Sequence, residues 1–115
     1  MNSNEAAKVI YEALDEKKGL DIKIIDIKSI SVLADYLIIT GGTNKSQVQT
    51  LADYVQEQMA KQNLHVKHVE GYHSANWILL DYGDIIVHIF NQEDRLFYDL
   101  ERLWKDGKDV PVETL

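Results

Sequence analysis

Cysteine is absent from the 115 residues. That removes disulfides, thiol catalysis, iron–sulfur clusters and cysteine-based zinc sites from consideration, and it suits a reducing compartment. Proline occurs once and glycine six times, so no collagenous or linker-like composition is present. Long apolar runs are also missing. The start, MNSNEAAKVI, is polar and mixed in charge, which points to neither a secretory signal nor a membrane span. A soluble cytoplasmic protein is the expectation. Basic residues are few: 12 Lys and Arg stand against 19 Asp and Glu, a formal net charge of −7. Phosphate backbones select cationic surfaces, so direct nucleic-acid recognition is disfavoured and a basic protein is the better partner. Ribosomal proteins are one large class of such partners.

What is present is an ordinary globular composition, 45% hydrophobic and 27% charged, in a length that suits one domain. Ala6, Val9, Ile10, Ala13 and Leu14 recur at helical spacing, with Ser3 as an expected cap and Gly19 as an expected stop after Lys17-Lys18. "LDIKIIDI" (20–27) and "DYLIITGG" (35–42) read as strands, the second largely buried. Residues 28–34 fit neither pattern. Val48, Leu51, Ala52, Val55 and Met59 form one stripe of a second helix, capped by Asn44 with Gln47 three residues on. "HVKHVEG" (65–71) reads as a strand following that helix, which suggests a parallel crossover. "NWILLDYGDIIVHIF" (76–90) supplies a hairpin. A last helix is expected from Asn91, with Leu96, Phe97, Leu100, Leu103 and Trp104 on its apolar side. The expected architecture is a single small α/β domain over residues 1–105, a mixed five-stranded sheet with flanking helices. Residues 106–115 are expected to fray.

The motifs for chemistry are weak. "TGGTNKSQV" joins a strand to a helix, where phosphates often bind, yet it lacks both Walker spacing and the three-glycine fingerprint. Asp81 and Asp84 flank Tyr82-Gly83, where turn geometry alone favours them. A phosphoryl-transfer site wants carboxylates converging on metal. His65 and His68, three apart, point to opposite faces if the segment is a strand. No nucleophile–base arrangement stands out. The reading is a protein with no catalytic residue, no metal and no cofactor.

The hairpin is more informative. With an even loop, Leu80 would oppose Ile85, Ile78 would oppose Val87 and Trp77 would oppose His88. One face then carries Ile78, Leu80, Ile85, Val87 and Ile89 and suits a core. The other carries Trp77, Leu79, Ile86, His88 and Phe90, edged by Asp81 and Asp84. A one-residue slip would mix the two sets, so the even register is favoured. The second face is either covered by the first or last helix or left open as a binding patch anchored by Trp77. His88 would allow pH sensitivity there.

These segments together resemble a known family. "EGYHSANWILLDYGDIIVHIF" followed by "RLFYDLERLW" is similar to the signature of the ribosomal silencing factor (Iojap-related) family. The matching positions are Glu70-Gly71, Ser74, Trp77, Leu80-Asp81, Gly83-Asp84, Val87-His88, Arg95, Tyr98, Leu100-Glu101 and Leu103-Trp104. Upstream, "SVLADYLIITGGTNKSQVQTLADYV" matches the family's strand, glycine loop and helix, although "GGTN" departs from the usual run of small hydroxyl residues. The resemblance implies a nucleotidyltransferase-like core without catalytic carboxylates, homodimers in isolation, and a translation repressor. Such a repressor would bind large-subunit protein fourteen on the intersubunit face of the large ribosomal subunit and block joining of the small subunit. On this reading Trp77, Leu79, Ile86, His88 and Phe90 face the ribosomal protein. Asp81, Asp84 and Glu70 form an acidic rim, and Arg95 and Tyr98 border the patch, with Arg95 equally able to pair with Asp99 along its helix. A dimeric scaffold and a degenerate nucleotide-binding protein are the alternatives.

Overall fold

A computed structural model describes residues 2–93 and 107–115. Helix α1 (Ser3–Glu16) is capped by Asn2, whose side chain accepts from the Glu5 N–H at 2.9 Å, so the cap falls one residue before Ser3. It ends at Lys17. Lys18, at φ +62°, takes the left-handed position expected of Gly19, and the Gly19 N–H returns to the Leu14 carbonyl. β1 (Leu20–Asp26) follows with a bulge between Leu20 and Lys23. β2 (Tyr36–Gly42) is buried along its whole length. α2 (Lys45–Lys61) starts at the expected cap: Asn44 accepts from the Gln47 N–H at 2.8 Å. β3 (His68–Glu70), β4 (Trp77–Asp81), β5 (Ile85–Asn91) and β6 (Lys108–Asp109) complete the strands, and a 3-10 turn spans Val112–Thr114.

The sheet runs β3-β4-β5-β2-β1-β6, and only β2 and β5 pair in parallel. It is the expected mixed α/β sheet, with a sixth strand where fraying was expected. Lys108–Asp109 pairs with Asp26 and Ile25, and the Val110 N–H donates to the Ile24 carbonyl. Val110, Val112 and Leu115 pack against the core, so apolar burial holds the tail from Gly107 onward. The crossover also differs from expectation. The chain leaves β2 through α2 and lands on β3 at the far edge, with β5 and β4 in between. The parallel neighbour of β2 is β5 instead. Of the segment 65–71 only His68–Glu70 is strand. Asn91 stays in the sheet opposite Gly42, and Gln92 and Glu93 form a turn where the last helix was expected to start; the rest of that helix lies outside the described residues.

Both described helices pack on one face. Ala6, Ala7, Ile10, Ala13 and Leu14 of α1 and Val48, Leu51, Ala52, Val55 and Met59 of α2 meet the sheet in one cluster. The sheet contributes Ile24, Ile38, Ile78, Leu80, Ile85, Val87 and Ile89 to it. Each large aliphatic side chain buried this way contributes about 1.5–3 kcal/mol of transfer free energy. The clean aliphatic face of the hairpin is therefore the core face. A second cluster, Ile25, Ile27, Ala34, Leu37, Ile39 and Phe90, lies on the opposite side of the sheet.

Candidate docking face

The observed hairpin register is Trp77↔Phe90, Ile78↔Ile89, Leu79↔His88, Leu80↔Val87 and Asp81↔Ile86. This is two residues further along than expected, so Trp77 opposes Phe90 and not His88. A shift of two preserves the side-chain alternation, and the two faces keep their expected members. Pairing then assembles rows across the sheet. Glu70, Leu79, His88, Ile39 and Lys23 form one row, and His68, Asp81, Ile86, Leu37 and Ile25 form the next. Trp77, Phe90 and Gly41 form a third.

Trp77 is 38% exposed, whereas His88 is 6% exposed and Phe90 fully buried. The indole stacks on the Phe90 ring, with centroids 5.2 Å apart and planes 23° apart. Its N–H donates to His88 Nδ1 at 2.8 Å. A nitrogen that accepts this bond carries no proton, so the neutral imidazole holds its proton on Nε2. Burial pushes the His88 pKa down to about 4, which keeps the folded ring neutral across the physiological range, so its protonation does not switch this face there. Leu79 and Ile86 are half-buried, and Glu70 is exposed. His88 and Phe90 thus form a floor under Trp77, while Trp77, Leu79, Ile86 and Glu70 reach the surface.

Of the other expected residues, Asp81 edges this face opposite Ile86 and Asp84 leaves it. Asp81 is half-buried at the end of β4 opposite to Trp77, about 13 Å along the strand at 3.3 Å per residue. Its carboxylate accepts from the Gly83 N–H at 2.8 Å and shapes the turn. Asp84 lines a cavity on the helix side with Ala6, Met59 and Tyr82. Its carbonyl accepts from the Asp35 and Tyr36 N–H groups, pinning the turn to the start of β2. Among the described residues no three His, Cys, Asp or Glu side chains group so as to hold a metal ion. Arg95 and Tyr98 lie outside the described residues.

The glycine loop has a packing explanation. A Cβ on Gly42 would come within 2.8 Å of Val48 Cγ2 and 3.1 Å of its backbone nitrogen, so only glycine permits this strand–helix approach. Gln47 accepts from Thr43 N–H at 2.7 Å and donates to the Lys18 carbonyl at 3.2 Å, tying the start of α2 to the end of α1. The segment between β1 and β2 fits neither helical nor strand period. There Ile30, Val32 and Leu33 are exposed, Val32 completely, while Ile27 and Ala34 beside them join the second cluster. Three apolar residues among serines without helical or strand period were the available signal.

The family model described as "Ribosomal silencing factor during starvation" matches residues 1–115. The chain belongs to the ribosomal silencing factor family. A curated ribosomal silencing factor from Bacillus subtilis is 39% identical over 107 residues, covering 93% of this chain and 91% of that protein. The factor from Halalkalibacterium halodurans is 35% identical over 113 residues, covering 98% and 97%. A crystal structure of a Bacillus halodurans protein superposes with a TM-score of 0.87 at 33% identity, covering 95% of this chain and 99% of that one. The chloroplastic protein Iojap of Zea mays is 30% identical over 105 residues, which are 90% of this chain and 44% of that protein. No described helix is long and apolar enough to cross a membrane.

Proposed function

We propose that this protein is a cytoplasmic translation repressor that binds large-subunit protein fourteen and so keeps the small ribosomal subunit from joining. The observation that carries the reading is Trp77, a large aromatic half-exposed on the sheet face opposite both described helices and held there by stacking and a hydrogen bond. Interface energy concentrates in such anchors, because an ordered ring displaces water without losing much conformational freedom. Leu79 and Ile86 extend the apolar centre. Glu70 on the same face, with the net charge of −7, complements a basic partner and speeds encounter more than it deepens affinity. Steric occlusion of a subunit-joining surface needs affinity and placement but no chemistry, so we read the protein as non-enzymatic. In isolation it is proposed to form homodimers. Arg95 and Tyr98 belong to this reading as bordering residues.

The test is co-sedimentation with purified large ribosomal subunits, wild type beside Trp77→Ala, with near-ultraviolet circular dichroism confirming the fold of the variant. A folded variant weakened by about 2 kcal/mol, roughly thirtyfold in Kd, supports the assignment and this face. Equal binding by both proteins moves the site elsewhere. Absence of binding by the wild type removes the ribosomal reading and favours a dimeric scaffold.

A further inference from the structure

We propose that His88 is a positioning residue for docking: it does not meet the partner itself but holds the Trp77 indole in its binding orientation from beneath. This inference rests on the docking reading above and assigns a separate job to the histidine within it. The two residues are not directly opposed in the hairpin. Trp77 pairs with Phe90 and His88 pairs with Leu79, so the 2.8 Å bond runs diagonally between adjacent rows. The imidazole is 6% exposed, which leaves little of it to touch a partner. Its ring centroid lies 5.6 Å from the indole and 6.2 Å from Phe90, so one aromatic floor supports Trp77 by stacking and one acceptor fixes its azimuth. Stacking on Phe90 alone leaves open a χ2 flip of the indole, which would present the other edge of the ring while keeping the stack. The directional N–H···N bond removes that freedom.

Holding the ring before encounter lowers the ordering cost of binding, which for one rotamer-rich side chain corresponds to about fivefold to tenfold in affinity. Two substitutions separate the acceptor from the ring. His88→Phe keeps an aromatic floor and deletes the acceptor. His88→Asn places an amide oxygen near the position of Nδ1 and deletes the ring. A bond whose role is to position Trp77 should be lost in the first and partly restored in the second.

The experiment measures affinity for purified large subunits together with the Trp77 indole N–H signal in ¹⁵N–¹H spectra, assigned by its disappearance in Trp77→Phe. The expected result is a downfield, slowly exchanging indole proton in wild type, a fivefold to tenfold weaker Kd with a shifted signal in His88→Phe, and partial recovery of both in His88→Asn. A folded His88→Phe protein that binds as tightly as wild type overturns the positioning role while leaving the docking reading intact. A wild type that does not bind overturns both. If His88→Phe does not fold, exchange in the wild type decides: protection of the Trp77 indole proton well beyond that of free tryptophan supports the role, and exchange at the free rate overturns it.

Discussion

Stability should fall more steeply on mild acidification than carboxylate titration explains, and His88 should be the reason. Burial lowers its pKa from 6.5 to about 4 in the folded protein. The unfolded chain takes up a proton at this position below about pH 6.5, whereas the folded chain resists until about pH 4. Between these values the unfolded state binds more protons, so stability rises with pH and is lost as pH falls. Above pH 7 neither state is charged and the group contributes nothing to the slope. From pH 7 to pH 5 the loss is about 2 kcal/mol, and by pH 4 it approaches about 3 kcal/mol. The immediate strand neighbours of His88 are the apolar Leu79 and Ile39. Glu70 and Lys23 follow one strand further out on either side, about 10 Å away at the usual strand spacing. No carboxylate on this row is adjacent to stabilise the imidazolium. Urea unfolding followed by far-ultraviolet circular dichroism at pH 7 and pH 5 measures the loss. His88→Phe serves as the reference, because it keeps every other ionisable group of the protein. Wild type should lose about 2 kcal/mol more than His88→Phe over that interval. Equal losses in the two proteins would refute the argument that His88 is held neutral by burial.

Gly71→Ala should destabilise the fold by more than about 2 kcal/mol in thermal or urea unfolding. Its φ is +76° and a Cβ there would come within 2.0 Å of the Trp77 carbonyl oxygen, a backbone atom that moves only if the start of β4 moves. Tyr82→Phe should leave stability unchanged or raise it by up to about 1 kcal/mol, measured in the same way. The Tyr82 hydroxyl is buried without a hydrogen-bond partner among the described residues, and burial pushes its pKa up to about 12. A clear loss of stability would show that the hydroxyl has a partner in solution.

The residues that sequence alone placed correctly are those governed by local rules. The stripe from Val48 to Met59 and the Asn44 cap follow from helical period and from orphan donors at a helix start, both settled within a few residues. The division of the hairpin into Ile78, Leu80, Ile85, Val87 and Ile89 against Trp77, Leu79, Ile86, His88 and Phe90 follows from the period of two. That division survives any shift by an even number of residues. For the same reason the pattern left the exact pairing open, and it fell two residues from expectation.

Only the tertiary structure decided the rest. No local pattern distinguishes β5 from β3 as the parallel neighbour of β2. That choice depends on burying both faces of a central strand whose seven residues are aliphatic or glycine apart from Tyr36 and Thr40. The tail after Gly107 looked too short and polar to hold a place, yet an unpaired β1 edge and the apolar Val110, Val112 and Leu115 gave it one. Asp81 and Asp84, adjacent in the sequence to one turn, ended on different tasks because the Asp81 carboxylate closes the turn on the Gly83 N–H while the Asp84 carbonyl pins the turn to the start of β2. His88 was legible as a member of the Trp77 face. Its burial, its lowered pKa and its bond to the indole are products of packing between rows of the sheet, and packing is a property of the assembled chain.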